Sequence, residues 1–312
     1  MRSIDAVITW VDGSDKEYKK KINKHLTTST NYKKEYLQAN EIEYCVKSIL
    51  KFAPFVRRIF IVTDNQKPSF NDLEDLIVSN KVKIVDHKEI FKGYEKYLPT
   101  FNIRSIDAML YRIEDLSETF VYFNDDVFLI NKICEEDWFV KNKAVLIGKW
   151  ATNYSINPLK VLSGTFKKLL GLRPSFNASQ SKAANISGFK KEYLKSYHTA
   201  RPQIKSLIKD FYNKNPKTLI DQIKYKFRNS DQFMPYSLCW HILIKENRAI
   251  IKEAKELKEV KQTQNLNARQ FISILEKLDY TKDVKYLNIQ DLNYASKDVF
   301  MIFDKWMRKK LQ

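Results

Sequence analysis

The chain has 312 residues, a formal net charge of +18 and 44% hydrophobic residues. That apolar content allows a large folded core, and 6 glycines with 8 prolines exclude a collagen-like or linker-rich chain. No apolar run approaches the ~20 residues of a membrane-spanning helix, and the start MRSIDAVITWVDG lacks the regions of a signal peptide. We therefore expect a cytoplasmic protein whose membrane contact is peripheral, at the inner face of the cell membrane.

The basic excess, 55 Lys and Arg against 37 Asp and Glu, has two explanations. One is an anionic partner such as a nucleic acid, a nucleotide, a phosphosugar or an acidic membrane surface. The other is a bias of the whole chain toward Lys, Asn and Ile. The three cysteines, Cys45, Cys134 and Cys239, are far apart and form no CxxC pair. Neither a zinc site nor a disulfide framework is expected from that spacing.

The first half of the chain alternates between predicted strands and predicted helices. Four runs rich in β-branched and aromatic residues predict buried strands, and stretches with helical spacing separate them. The strands are predicted over 4–11, 56–64, 82–87 and 119–126, and the helices within 16–51 and over 103–113. This order predicts an α/β fold with a mostly parallel sheet and flanking helices in residues 1–150.

The pattern changes in residues 151–312, which we expect to form a helical, basic half that completes the same catalytic unit. Residues 151–190 are rich in Ser and Asn and are predicted to be irregular. Residues 191–260 are predicted to be helical and basic, and two further helical stretches are expected in 265–312.

Acidic residues follow the predicted strands, and the last strand is followed by two. In open parallel sheets, ligands bind outside the carboxyl ends of the strands. Adjacent carboxylates repel each other and are costly to bury, and a bound Mg²⁺ or Mn²⁺ would resolve both problems. The alternative is that these acids only form turns or cap helices. The acids concerned are Asp12, Asp64, Asp86, Asp125 and Asp126.

Several segments resemble the conserved blocks of the Stealth family, in the family's order. IDAVITWVDGSD (4–15) resembles the first block. YLPTFNIRSIDAMLYRIEDLSETFVYFNDDVFL (97–129) resembles the second block, and residues 40–70 resemble the sequence at the start of that block. YHTARPQIKS (197–206) with KYKFRNSDQF (224–233) is similar to the third block, and KYLNIQDLN (285–293) to a degraded fourth. The resemblance narrows the expected fold to a Rossmann-like or GT-A-like nucleotide-sugar fold.

Stealth proteins are hexose-1-phosphate transferases, and they include bacterial capsule and exopolysaccharide enzymes and the animal N-acetylglucosamine-1-phosphotransferase of lysosomal proteins. The resemblance therefore implies a UDP-sugar donor and transfer of the sugar together with one phosphate. The product would be a phosphodiester with a saccharide acceptor, which we expect to be lipid-linked, and UMP would leave. The compact chain favours the bacterial polysaccharide class.

The resemblance also assigns catalytic roles. Asp126 matches a family residue implicated in catalysis and is assigned to the metal, and Asp125 beside it either binds the metal or orients the turn. Asp107 stands where the family has Glu, and its alternative is a carboxylate on a helix surface. His198 is the expected proton acceptor, since a neutral imidazole can take a hydroxyl proton near pH 7. Arg228 matches the family arginine, whose planar fork suits a phosphate.

Substrate-binding roles fall on six further residues. The turn in TWVDGSD is expected to hold the donor, with Trp10 either stacking on a base or belonging to the core. Asn102 and Asn124 are expected to bond sugar hydroxyls, and Asp291 matches the acid of the fourth block. The six residues are Trp10, Asp12, Gly13, Asn102, Asn124 and Asp291.

Two other functions compete with this interpretation. An ordinary metal-dependent glycosyltransferase would keep the paired aspartates but attack the sugar's anomeric carbon, so it would release UDP rather than UMP. A nucleic-acid-binding protein would need a basic stripe with interleaved aromatic residues and a steep salt dependence. Such a protein would also not require the paired aspartates, and we expect no nucleic-acid partner.

Overall fold

The computed structural model describes residues 3–26, 39–170 and 175–312, without the side chains of Lys167 and Lys168. The strands of this part of the chain are β1 (Ile4–Thr9), β2 (Ile59–Thr63), β3 (Val82–Asp86), β4 (Thr119–Asn124), β5 (Val127–Leu129), β6 (Phe139–Val140), β7 (Lys143–Thr152), β8 (Glu192–Ser196), β9 (Arg201–Ile204), β10 (Ala249–Lys252), β11 (Leu257–Val260) and β12 (Tyr286–Ile289).

The helices described are α1 (Lys16–Asn23), α2 (Glu41–Phe52), α3 (Leu73–Val78), α4 (His87–Ile90), α5 (Ile103–Asp107), α6 (Pro158–Leu169), α7 (Phe176–Ile186), α8 (Lys205–Lys214), α9 (Pro216–Ile223), α10 (Pro235–Lys245), α11 (Ala268–Tyr280) and α12 (Lys297–Leu311). Short 3₁₀ turns lie between them, for example over Leu110–Arg112 and Tyr154–Ile156. None of the helices in these residues is long and apolar enough to cross a membrane.

A five-stranded sheet in the order β3-β2-β1-β4-β9 forms the centre of the molecule. The first four strands are parallel, and β9 joins the edge antiparallel to β4. Every residue of β1 and β2 is buried and most of them are apolar, so these strands show no alternation of apolar and polar residues. The predicted α/β fold with a mostly parallel sheet and flanking helices is confirmed.

The strand order reverses between β1 and β4. The chain builds outward from β1 to β2 and β3, and then returns to place β4 on the other side of β1. Thr9 pairs with Asn124, so the two strands end level with each other. A reversal of this kind opens a crevice outside the carboxyl ends of the two strands, and that crevice is where α/β proteins bind ligands.

The two halves of the chain share their sheets. Strand β9 extends the sheet of the first half, β7 pairs with both β8 and β10, and β5 pairs with β12. The boundary expected at residue 150 falls inside β7. Besides its helices, the second half therefore contributes strands that complete the architecture begun in the first.

Residues 151–190 are not irregular, so that prediction is wrong: they carry the end of β7 and the helices α6 and α7. Helix α7 buries small and polar residues, including Ser179, Gln180 and Ser181. Hydrogen bonds hold two of them: Ser196 donates its N–H to Gln180 Oε1, and Ser181 donates its hydroxyl to Asn153 Oδ1. A buried helix of small and polar residues has no strong hydrophobic periodicity, so the sequence of α7 was predicted to be irregular.

The remaining differences concern element ends and one uncovered segment. The four predicted strands are confirmed but end earlier, as with 4–11, where the strand stops at Thr9 and the chain turns away from the sheet. The helix predicted over 103–113 ends at Asp107 and continues as a turn. Of the stretch 16–51, helices α1 and α2 are confirmed at its two ends, and residues 27–38 lie outside the described part. The 191–260 stretch holds strands as well as helices.

Candidate active site

Two adjoining cavities lie at the crevice between the ends of β1 and β4. The larger has a volume of about 750 Å³ and the smaller about 110 Å³. Both are lined by Asn124 and Asp125 from the end of β4, by Ile103 from α5 and by Arg228. A ligand that extends from one cavity into the other would therefore pass the aspartate pair and the arginine.

The turn Asn124–Asp125–Asp126 forms the floor of the site. It links β4 to β5, and β5 pairs antiparallel with β12. The carbonyl of Asp126 accepts hydrogen bonds from the Asn288 side chain at 3.0 Å and from the Ile289 N–H at 3.2 Å. Strand β12 thus fixes the turn through its main chain, so the aspartate side chains are left to face the larger cavity.

His198 lies directly against this floor. Its Nε2 is 3.0 Å from Asn124 Oδ1 and 3.5 Å from Asp126 Oδ1, and its Nδ1 is 3.3 Å from Gln290 Nε2. An amide nitrogen can only donate, so Gln290 assigns the lone pair to Nδ1 and the proton to Nε2 in the neutral ring. Residues 74 to 92 positions apart in the chain converge here.

Gln290 and Asp291 bring the fourth block into the site. Both line the larger cavity, as does Glu259 from β11, which accepts the His198 N–H at 3.2 Å. Asp291 adopts a left-handed backbone with φ of 62°, which turns the chain at the end of β12. The site therefore contains the aspartate that the resemblance had matched most weakly.

Arg201 was missed by the sequence analysis, although it lies in the third block. It is 1% exposed, donates from Nη1 to Asn124 Oδ1 at 2.8 Å and lies 4.4 Å from the ring centroid of Tyr236. Strand β9 places it there by pairing with β4, where Tyr122 is opposite Arg201. The available signal was an arginine at the start of an otherwise uncharged strand, three residues after His198.

Asp107 faces the same cavity from the end of α5 and is 7% exposed. Burial raises the pKa of this carboxyl to about 7, although a hydrogen bond from Tyr122 and the charges of Arg201 and Arg228 oppose the shift. A carboxyl with a pKa this far above its ordinary value is typical of functional sites. The alternative of a helix-surface carboxylate is wrong, because the side chain is buried.

Three polar atoms of the Asp107, Arg201 and Arg228 side chains, which line the larger cavity, are buried without a hydrogen-bond partner among the described residues. They are Asp107 Oδ1, Arg201 Nε and Arg228 Nε. Buried polar atoms in folded proteins are nearly always bonded, so each exception requires an explanation. A polar, anionic ligand in the cavity would supply the missing partners of the two guanidinium groups.

Asn102 does not line either cavity, within the part of the chain that the structure describes. It is fully buried, and its amide donates to the carbonyl of Phe227 at 2.9 Å and to Gln232 Oε1 at 2.8 Å. These bonds hold the segment that carries Arg228. The structure therefore gives Asn102 a positioning role, and the expected contact with sugar hydroxyls stays a prediction.

The smaller cavity is mainly apolar and aromatic. Trp10 follows β1 into its wall, opposite Phe101, and His87 lines it from α4. Trp10 Nε1 and His87 Nδ1 are buried without a hydrogen-bond partner among the described residues. Burial lowers the pKa of His87 to about 4, so its ring is neutral at physiological pH. These features fit a flat, uncharged group that offers hydrogen bonds at its edge.

Asp12 and Gly13 lie in the turn after β1 but line neither cavity. The Asp12 carboxylate accepts from the Ser14 N–H at 2.8 Å and from its hydroxyl at 2.6 Å. Gln66 clamps the same turn through both Asp12 main-chain groups at 2.9 Å. Their expected contact with the donor stays a prediction.

A divalent cation fits this site only in part. Among residues 3–26, 39–170 and 175–312, no group of three or more His, Cys, Asp or Glu side chains is arranged to hold a metal ion. Mg²⁺, however, is commonly bound by one or two carboxylates, with water and substrate phosphates completing its coordination. Asp125 lines both cavities and the adjacent Asp126 lines the larger one, and this pair meets that smaller requirement.

Comparison with known proteins identifies relatives of this chain. Stealth protein conserved region 1 matches residues 2–28, and conserved region 2 matches residues 35–147. The capsular polysaccharide phosphotransferase cps1A of Actinobacillus pleuropneumoniae is 32% identical over 264 residues, which are 80% of this chain and 68% of that protein. The capsular polysaccharide phosphotransferase cps12A of the same species is 42% identical over 150 residues, or 45% of this chain and 38% of that protein.

Among solved structures, that of the bifunctional glycosyltransferase WbbM is similar to this fold with a TM-score of 0.46 and 13% identity, over 98% of this chain and 50% of that chain. The α/β fold, the ionic cavity and the sequence relatives together define a transferase enzyme. More particularly, the chain belongs to the Stealth family, because its similarity to cps1A extends over most of both proteins. The resemblance found in the sequence is confirmed.

Proposed function

We propose that this enzyme transfers hexose-1-phosphate from a UDP-sugar to a hydroxyl of a saccharide acceptor in the synthesis of a capsule or exopolysaccharide. The product is a phosphodiester and the leaving group is UMP. Relatives named capsular polysaccharide phosphotransferases support phosphotransfer in capsule synthesis. The observation that carries the finer proposal is the pair of guanidinium groups beside the aspartate turn, that of the buried Arg201 and that of the half-buried Arg228, each with a buried Nε.

The position of the arginines favours attack on phosphorus. When a hydroxyl attacks the β-phosphorus of a UDP-sugar, negative charge builds up on the non-bridging oxygens. Arg201 and Arg228 line the larger cavity and each has a buried Nε without a partner among the described residues. Guanidinium groups can meet two phosphate oxygens at once, and fixed donors aimed at developing charge are a major source of catalysis.

The proposed step balances as a displacement at the β-phosphorus. The acceptor oxygen forms a new bond to that phosphorus, and the bond to the oxygen bridging the two phosphates breaks. UMP leaves with the bridging oxygen, and the hydroxyl proton passes to a base in the cavity. The sugar's own anomeric bond to its phosphate stays intact throughout.

His198 is the proposed base. Its ring contacts the aspartate turn through Nε2, and Asp126 at 3.5 Å would stabilise the ring once it is charged. Nδ1 would accept the proton after Gln290, 3.3 Å away, releases it. The second candidate is Asp107, whose burial raises its pKa to about 7.

The smaller cavity is the proposed site of the uracil base. Trp10 and Phe101 offer aromatic walls, and the unpartnered Trp10 Nε1 and His87 Nδ1 offer hydrogen bonds. A base bound there would direct its diphosphate toward Arg228 and Asp125, which line both cavities. Asp125 and Asp126 would hold Mg²⁺ or Mn²⁺, which when bound neutralises phosphate charge.

The decisive experiment identifies the nucleotide released. The purified protein is incubated with a panel of UDP-sugars, Mg²⁺ and a capsule-derived saccharide, and the nucleotides are separated by chromatography. UMP together with a phosphodiester product, seen by phosphorus NMR, supports the proposal. UDP with a new glycosidic bond would show an ordinary glycosyltransferase, and no nucleotide release across the panel would reject a UDP-sugar donor.

A further inference from the structure

Helix α6 is unusual among the described helices because most of its residues are exposed. Every residue from Val161 to Phe166 is exposed, including Leu162 at 68% and Phe166 at 60%. Among the described elements its main neighbour is the 3₁₀ turn at Tyr154–Ile156, where Lys160 Nζ lies 4.7 Å from the Tyr154 ring centroid. A helix of twelve residues is only marginally stable in water without tertiary packing, so this one needs a partner.

Four of the apolar residues of α6, together with Leu170 directly after the helix, form a single stripe. Their spacing of three, four, three and one positions places them within about 100° of the helix circumference. All of them are at least half exposed in the structure, and the neighbouring Ile156 extends the same apolar surface at 52% exposure. The stripe consists of Leu159, Leu162, Phe166, Leu169 and Leu170.

The charge around this stripe identifies the partner. Residues 138–191 contain no Asp or Glu, so the surface that α6 belongs to has no negative side chain nearby in sequence. An apolar helical stripe within a stretch of sequence whose charged residues are all basic is the pattern of a helix that lies in the interface of an anionic bilayer. The ten basic residues of this range are Lys141, Lys143, Lys149, Lys160, Lys167, Lys168, Arg173, Lys182, Lys190 and Lys191.

The helix also lies close in sequence to the wall of the larger cavity. Ser175, Phe176 and Asn177, at the start of α7, line that cavity, and Phe176 is itself 39% exposed. A membrane-bound α6 would therefore hold the acceptor side of the site close to the lipid surface. That placement suits an acceptor saccharide carried on a lipid.

We propose that α6 docks this enzyme onto an anionic membrane, with the apolar stripe inserted among the lipid head groups. The membrane contact is inferred from α6 and its surrounding sequence alone, while the lipid-linked nature of the acceptor rests on the proposed function. Two contributions would hold the protein on the membrane: burial of the apolar stripe, and attraction between basic residues and anionic lipids. Only the electrostatic attraction is screened by salt.

The test is flotation of the full chain with phosphatidylcholine vesicles containing either 40% or no phosphatidylglycerol. The triple variant Leu159→Ser, Leu162→Ser, Phe166→Ser removes the centre of the stripe, and Val78→Ser with Tyr280→Ser is the matched control, since those side chains are 86% and 89% exposed elsewhere. We expect the wild type to bind anionic vesicles, the triple variant to bind about a hundredfold more weakly, and the control to bind like the wild type.

Two results would overturn the inference. One is equal binding of the wild type and the triple variant to anionic vesicles. The other is a wild type that fails to bind them but forms a dimer by light scattering, with the dimer lost in the triple variant, because α6 would then join two copies of this chain. The residues changed line neither cavity, so UMP release with a water-soluble saccharide should be retained. Absent UMP release with intact docking would reject the proposed function alone.

Discussion

The two cavities share a wall, yet they differ in charge. Beyond that shared wall, which carries Asp125 and Arg228, the smaller is lined by Trp10, Phe101 and a neutral His87, whereas the larger contains further charged groups such as Asp126 and Arg201. Burying charge is costly unless a partner compensates it, so a mainly ionic cavity beside a mainly apolar one indicates that the two bind different parts of a ligand. This difference fits the proposal that the smaller cavity binds a flat uncharged base and the larger one the charged phosphates.

The largest expected effect would come from removing a charge at the junction. Asp126→Asn keeps the size of the side chain, and the turn should fold normally because β12 holds it through the main-chain carbonyl. We expect UMP release in excess Mg²⁺ to fall at least about a thousandfold, or about 4 kcal/mol. Chelation of divalent cations should abolish the activity of the wild type. The exposed Asp283→Asn is the control, and wild-type turnover by Asp126→Asn would refute a metal at the junction.

A second test measures how the stability of the protein depends on pH, because Asp107 in the larger cavity differs in pKa from an ordinary carboxyl. The folded state raises the pKa of Asp107 to about 7 by burial, so it favours the protonated form. Its contribution to stability is present below pH ~4 and is lost as pH rises toward 7. Relative to Asp107→Asn, wild-type stability should fall by roughly 4 kcal/mol over that range. Urea midpoints at several pH values measure it, and a constant difference between the two proteins would contradict the raised pKa.

Loss of the proposed base should cost less than loss of the junction charge. We expect His198→Ala to lower kcat about a hundredfold, a typical contribution of general base catalysis, with little change in donor binding. Rapid-quench measurement of the first turnover separates the chemical step from product release. If kcat is unchanged while Asp107→Asn abolishes turnover, the proton acceptor is Asp107.

The arginine fork gives a smaller but more specific effect. Arg228→Lys keeps the positive charge and loses the planar geometry that can meet two phosphate oxygens. We expect kcat to fall about tenfold to a hundredfold, with donor affinity by calorimetry changed less. Arg269→Lys, at an exposed position in α11, is the control. Normal turnover by Arg228→Lys would assign this arginine to structure.

The smallest effect is expected in the apolar cavity. Trp10→Phe keeps an aromatic wall and removes the Nε1 donor, which is worth about 1 kcal/mol in a neutral hydrogen bond. KM for the donor should rise about fivefold with kcat unchanged. Trp150→Phe, at an exposed tryptophan, is the control. A loss in kcat instead would mean that the small cavity takes part in the reaction, and the division between the two cavities would fail.

The sequence by itself determined the class of fold and the floor of the site. The runs that form β1, β2 and β4 are mostly apolar on both faces because both faces of a parallel sheet are covered, and this local signal is readable without a structure. Asp125 and Asp126 were recognisable for the same reason: two carboxylates directly after a buried strand contradict its apolar pattern, and such contradictions occur at functional sites.

Only the tertiary structure decided which residues share the cavity. Arg201 and Gln290 reach the aspartate turn because β9 pairs with β4 and β12 pairs with β5, and strand pairing over 77 or more residues leaves no local trace in sequence. In the structure, Asn102 lies behind the segment that carries Arg228 and lines neither cavity, and the apolar stripe of α6 is exposed. Periodicity shows that a segment has an apolar face, whereas what covers that face depends on the arrangement of the whole chain.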